Sequence, residues 1–334
     1  MTLLQVDGFD HYTSQAQGNA KGWSYNGYNG TSPGRFGGLC MNGANGIMRS
    51  FPAALATSIV GVAFKAGGLF GNILSLVDGG LGSTQLTVAL TGTGALTVTG
   101  AALLATSNAN LVKPGAWNYL ELKATINNAT GAYAVRLNGA AVPGLPDAVN
   151  VNTRGATGNN WATGYTFGLN CGGNLNYDDS YACDTAGAVN NAFLGDVRIS
   201  TLLPNGAGFY TQWATLVGAA THWQAVSDSP PDDDASYVAD LTPGDLDSYA
   251  MGDLPSVSGT VPGLVVDAYA RKDDGNLRQV AAIARSAAVD KVGATQTLTG
   301  SYAFYTEVME TDPSAAAWTI ASVNGAEFGI KEVA

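Results

Sequence analysis

The chain has 334 residues, enough for about two domains with separate cores. Apolar residues make up 46% and charged ones only 12%, and 44 glycines supply turn positions, a balance that suits rigid β-structure. Fifteen basic against 26 acidic residues leave a net charge of −11, which argues against a nucleic-acid groove and against an anionic membrane as partner. The three cysteines, Cys40, Cys171 and Cys183, are odd in number and form no Cys-x-x-Cys or Cys/His cluster, so no disulfide framework is expected and assembly in a reducing cytoplasm is. Without a basic-then-apolar leader or an unbroken apolar run of about 18 residues, the chain reads as neither exported nor membrane-spanning.

Leu3 to Tyr12 alternates as an opening strand, and His11 in it reads as a hydrogen-bonded structural residue beside aromatics. Lys21 to Gly38 is a turn-rich loop carrying Trp23, Tyr25, Tyr28 and Phe36. Such rings either plug a sandwich end or a subunit contact, or stack on sugar rings. Leu39 to Arg49 and Thr57 to Lys65 read as strands separated by Pro52. Asn72 to Val77, Gln85 to Leu90 and Ala95 to Thr99 then form a meander of short strands joined by Gly-rich turns. Trp117 to Ile126 and Ala132 to Leu137 follow, with a hairpin loop between them and an Asn-Gly turn after. Leu175 to Tyr181 and Phe193 to Ile199 read as two strands facing each other across a polar turn, the second with Phe193, Gly195, Val197 and Ile199 on one face.

The Trp-led strand, the Tyr-Asp-Asp-Ser-Tyr strand and the Phe-Leu-Gly-Asp-Val-Arg-Ile run together resemble the laminin-G or concanavalin-A-like jelly roll. Asp-Gly-Phe-Asp-His-Tyr at the start, Gly-Arg-Phe-Gly-Gly at residues 34–38, Trp-Asn-Tyr-Leu-Glu-Leu-Lys and Gly195-Asp196-Val197-Arg198 are similar to one branch of it, tailed-bacteriophage virion proteins. The resemblance implies an all-β jelly roll over residues 1–203 and a second, smaller β-sandwich over residues 236–334, in a virion structural protein. From the residues themselves, 204–235 reads as a packed connector with a boundary near Pro230 and room for a short helical turn.

In the second region, Asp247 to Leu254, Gly263 to Arg271, Leu277 to Arg285, Gly300 to Met309 and Trp318 to Val323 read as strands, and Phe328 to Val333 as a closing edge strand. Lys272-Asp273-Asp274-Gly275 signals a hairpin between the second and third of these. Pro230-Pro231-Asp232-Asp233-Asp234 reads as a solvated acidic turn, because consecutive carboxylates do not converge on one cation.

Catalytic patterns are missing. A retaining glycosidase needs two carboxylates about 5 Å apart; Glu121 is the only Glu before residue 307, and strand alternation sends Asp178 and Asp179 to opposite faces. The two histidines are far apart in sequence, no Gly-x-Ser-x-Gly elbow adjoins either, and no phosphate loop is present. The resemblance implies calcium at a sandwich rim, for which Asp178, Asp179 and Asp184 are the candidate ligands beside Asn190 and Asn191. The expected function is a non-enzymatic virion subunit of tail, tail fibre or decoration type, a homo-oligomer among other virion proteins, assembled in the host cytoplasm. The alternatives are a carbohydrate-binding module contacting host glycans through Trp23, Tyr25, Tyr28 or Trp161, and a glycan hydrolase.

Overall fold

A computed structural model describes residues 2–25, 28–31, 33–43, 46–171, 174–255 and 258–334, the side chains of residues 25, 28–31 and 43 excepted. It is an all-β protein of two compact units, Met1–Ile199 and Ser200–Ala334, in which every ladder between strands is antiparallel among the described residues. Among those residues no helix is long and apolar enough to cross a membrane.

The first unit is a jelly-roll sandwich of a nine-stranded and a seven-stranded sheet. Thr57–Ala66 lies inside the nine-stranded sheet, between Trp117–Thr125 and Leu175–Cys183. Its alternation sends Val60, Val62 and Phe64 inward with Leu120 and Leu122 from one neighbour and Tyr177 from the other. Leu74, Leu76, Leu86, Val88, Tyr165 and Phe167 of the seven-stranded sheet complete this interior. The nine-stranded sheet is buried on its other face as well, where Ile59, Ala63, Tyr119, Glu121, Tyr181 and Cys183 are sealed from solvent.

Residues 192–199 cover that other face. Phe193 to Ile199 was expected as a strand and is not one, because its backbone groups are met by side chains instead of a neighbouring strand. Leu194 N–H donates to the Tyr181 hydroxyl (3.2 Å), Gly195 N–H to Glu121 Oε1 (2.8 Å) and Ile199 N–H to Asp179 Oδ1 (2.7 Å), while the Val197 carbonyl accepts from Arg35 (3.1 Å). Gly61 makes this arrangement sterically feasible. It stands opposite both Glu121 and Tyr181 in the ladders on its two sides, and the Tyr181 ring occupies the space its Cβ would take.

Other departures from the sequence reading have local causes. The Leu39 to Arg49 run is two strands, Cys40–Gly43 and Ile47–Leu55, in different sheets. Pro52 lies inside the second of them, where the ladder to Ala162–Phe167 shifts register and the other neighbour, Trp23–Tyr25, has already ended. Ala162–Phe167 itself escaped notice, although Tyr165 and Phe167 alternate with small residues and it sits between Gly71–Val77 and Ile47–Leu55.

In the second unit a six-stranded sheet packs on the Leu264–Ala270/Ala303–Met309 ladder through Ala282, Ala284 and Phe328 against Met309, Leu264 and Val266. Residues 204–211 belong to that sheet: Pro204–Thr211 pairs with Leu246–Met251, so the connector read from sequence begins with a strand of the second unit. The expected short helical turn is His222–Ala225. Leu264–Ala270 and Gln279–Ser286 are strands but do not form a hairpin; they enter opposite layers, and Asp274 caps the turn between them through Asn276 N–H (3.1 Å) and Arg278 Nη2 (2.8 Å). Trp318–Val323 is not a strand. Thr319 and Ser322 form a capping box that starts the helix Ile320–Asn324, and Trp318 anchors its entry by donating to the Met309 carbonyl (3.0 Å). The closing strand Glu327–Glu332 lies inside the sheet between Leu246–Met251 and Gln279–Ser286, not at an edge.

Gly61→Ala inserts a methyl into space held by Tyr181, so it is expected to lower unfolding stability by about 1–3 kcal/mol in urea titration. An unchanged midpoint would show that Tyr181 moves without cost.

Candidate functional site

Three groups of polar and aromatic side chains stand out, each built on a different part of the fold. The first lies at the bulge in Leu175–Cys183, where pairing with Thr57–Ala66 slips between Asp178 and Tyr181 and Asp179 takes φ +49°. The bulge undoes simple alternation: both carboxylates, expected on opposite faces, meet Arg35. Asp178 Oδ2 accepts the Arg35 backbone N–H (2.7 Å), and Asp179 Oδ2 accepts from its guanidinium (3.3 Å), which also bonds Asp196. The remaining oxygens take Asp179 N–H (2.8 Å) and Ile199 N–H (2.7 Å).

Burial pushes both acids up. Asp178, which adjoins the Asp179 charge and receives only backbone N–H groups, rises to about 8; Asp179, helped by Ile199 N–H and the Arg35 guanidinium, rises to about 6. Glu121 is likewise raised by burial, against the pull of the Tyr181 hydroxyl (2.5 Å) and Gly195 N–H. Glu121 and Asp179 hold residues 192–199 in place, Asp178 holds the Arg35 backbone, and all three are buried.

The calcium set implied by resemblance does not assemble. All four oxygens of Asp178 and Asp179 are engaged within the chain, and Asp184 caps its own turn at Ala186 N–H (2.8 Å). Among the described residues no cluster of three or more His, Cys, Asp or Glu is placed to hold a metal. Asp232, Asp233 and Asp234 likewise diverge, to Ser236, Tyr269 and Tyr302 respectively.

The predicted stacking aromatics also separate. Trp23 is 2% exposed and donates from Nε1 to Asp7 (2.8 Å), the buried carboxylate that also receives Phe9 N–H and the Tyr12 hydroxyl. It is a core residue and offers no face to a glycan. Tyr25 and Tyr28 have their side chains outside the described residues. Phe36 is exposed, with the Arg35 and Arg198 guanidinium groups each 4.7 Å from its ring centre. His11 packs edge-on against Tyr12, with ring centres 4.9 Å apart.

Trp161 differs from the others. It is 40% exposed at the end of the loop joining Ala148–Val151 to Ala162–Phe167. The fully buried Gln85 reaches into that loop, donating to Thr157 Oγ1 (2.8 Å) and to the carbonyls of Asn159 and Trp161 (3.1 Å each), and accepting Gly155 N–H (2.8 Å). Asp78 adds two more ties, from the Thr157 hydroxyl (2.6 Å) and the Asn159 amide (2.8 Å). The loop backbone from which the exposed indole projects is therefore held in place, which lowers the part of the ordering cost of stacking a ligand that the loop would bear. Gln85 was not singled out from sequence, since one polar residue in a strand carries no signal of what it will reach.

The third group is in the second unit. Buried Asp247 pairs with His222 Nδ1 (2.7 Å) and accepts from the Tyr249 hydroxyl (2.8 Å). Burial raises its carboxyl against the pull of both partners. Beside it is a cavity of about 330 Å³ lined by His222, Trp223, Tyr249, Leu216 and Ser248 among others. A carboxylate-backed imidazole is base-like in geometry, and the adjacent Ser248 hydroxyl is spent on Glu327 (2.9 Å).

No family model and no curated protein matches the chain. Among solved structures, a sialidase covers 55% of it at 14% identity with a TM-score of 0.39, the match spanning only 19% of the sialidase. The Ca²⁺/Man3GlcNAc-bound exoplasmic/lumenal domain of VIP36 covers 55% of this chain and 90% of its own at 14% identity and TM-score 0.33. The binding domain of botulinum neurotoxin serotype C1 covers 100% and 99% at 10% identity and TM-score 0.33. At such scores none of their activities extends to this chain.

An acid that holds its proton more tightly when folded stabilises the fold at low pH. For Asp178 that contribution is complete below the ordinary value of 3.8 and is lost as pH rises through about 8. Asp178→Asn is therefore expected to gain on the wild type by about 1 kcal/mol or more between about pH 5 and pH 8.5 in urea unfolding. Parallel pH profiles for the two proteins would show that Asp178 titrates normally.

Proposed function

We propose that the chain is a non-enzymatic structural subunit of a bacteriophage virion, of tail, tail-fibre or decoration type, that attaches to host-surface glycans through the Trp161 loop. The observation that carries the adhesion role is the exposed indole of Trp161 on a loop fixed by Gln85 and Asp78. An exposed amphipathic ring carried on an ordered loop is a low-cost stacking surface for the apolar face of a sugar. The virion setting rests on the sequence resemblance, and with it come a homo-oligomeric state, other virion proteins as partners and assembly in the host cytoplasm. Absence of catalysis is supported by the burial of Glu121, Asp178 and Asp179, which bond the chain's own backbone N–H groups, the Tyr181 hydroxyl and the Arg35 guanidinium inside the fold.

Immunogold labelling of purified virions and a glycan array with the isolated protein test the two halves of this reading. Virions are expected to label, and array binding is expected to fall about tenfold or more in Trp161→Ala with an unchanged melting temperature. Unlabelled virions would remove the virion role; wild-type binding to no glycan would remove adhesion.

A further inference from the structure

Arg154 lies on the same loop as Trp161. Its Nη1 donates to the Gly158 carbonyl (2.9 Å) and reaches Asn160 Oδ1 (3.5 Å), which brings the guanidinium beside the residue that precedes the indole. Its backbone N–H donates to Asn152 Oδ1 (3.1 Å), so both ends of the residue are tied to the loop. Nε and Nη2 have no acceptor among the described residues.

That is unusual in this chain. Arg35, Arg49, Arg136, Arg271, Arg278 and Arg285 each pair with a carboxylate, and Arg198 stacks on Phe36. Arg154 has neither an acidic nor an aromatic partner among the described residues, in a protein whose net charge is −11. Asp78, at the base of the loop, is buried, and its Oδ2 is taken up by Thr157 and Asn159.

We propose that Arg154 and Trp161 together select a carboxylated sugar residue, the indole taking the ring face and the open Nε/Nη2 edge of the guanidinium taking the carboxylate. This rests on the glycan-binding reading above and names its ligand class. The Nε–H and Nη2–H pair is parallel and coplanar, the geometry that a carboxylate accepts with both oxygens. Because Nη1 is already fixed by the loop, that edge is presented with little further loss of side-chain freedom. The loop thus combines one apolar and one cationic contact, which a neutral sugar fills only in part.

The test uses the full chain and two probes, a uronic-acid oligosaccharide and the same oligosaccharide with its carboxyls reduced to alcohols, titrated calorimetrically at low and high salt. Wild type is expected to bind the acidic probe about tenfold or more tightly, with the preference shrinking as salt is raised. Arg154→Gln is expected to abolish the preference while keeping binding to the reduced probe, and Trp161→Ala to weaken both. Arg154→Lys, which keeps the charge but not the paired donors, is expected to restore only part of the preference. Equal wild-type affinity for the two probes, or a preference that survives Arg154→Gln, overturns the proposal while leaving Trp161-dependent glycan binding intact. Binding of a sulfated oligosaccharide as tight as that of the uronic-acid probe overturns the assignment to carboxylate. Failure of any glycan to bind the wild type overturns both this proposal and the adhesion reading.

Discussion

Glu121 and Tyr181 share a short hydrogen bond over Gly61, on a face of the nine-stranded sheet that would otherwise meet water. Their remaining capacity goes to the backbone N–H groups of Gly195 and Leu194, so an irregular segment lies down as a lid on that face. Asp179 and Arg35 extend the attachment to Ile199 and Val197. Buried polar groups are costly unless satisfied, and here Glu121 Oε1, the Tyr181 hydroxyl and the Asp179 carboxylate meet backbone N–H groups that have no strand beside them. Residues 192–199 can therefore seal the sheet without being a strand.

The same economy explains why the residues that look chemical in the sequence are structural in the fold. Asp7 gathers Phe9 N–H, the Tyr12 hydroxyl and the Trp23 indole, which removes Trp23 from the surface. Asp178 and Asp179 stand at a bulge that aims both at Arg35, and their raised proton affinities reflect burial within the fold. A carboxylate buried and engaged at both oxygens in this way is closed off from calcium and from a substrate. Trp161 escapes because the polar groups beneath it, Gln85 and Asp78, bind the loop backbone and side chains and leave its ring outside.

In the second unit the pairing of strands is decided by layers. Leu264–Ala270 and Gln279–Ser286 follow each other closely in the chain, but each must bury one face against the other, so they sit in opposite layers and find partners elsewhere. Glu327–Glu332 then fills the gap beside Gln279–Ser286, and the chain's last strand becomes an interior one.

The sequence by itself determined the all-β class and most of the strands with strict alternation, such as Thr57–Ala66, Trp117–Thr125 and Gly131–Leu137, because these depend on period-two patterning and on which residue types are present. It also brought Trp161 forward as an aromatic candidate. Which runs pair, that the Phe193 to Ile199 run is a lid, that Trp23 is core and that Arg154 reaches Asn160 with no acidic partner among the described residues were decided only by the tertiary structure. Those outcomes depend on side chains far apart in the chain competing for the same buried hydrogen-bond partners, as Glu121 does for Tyr181 and Gly195. Local pattern contains no record of that competition.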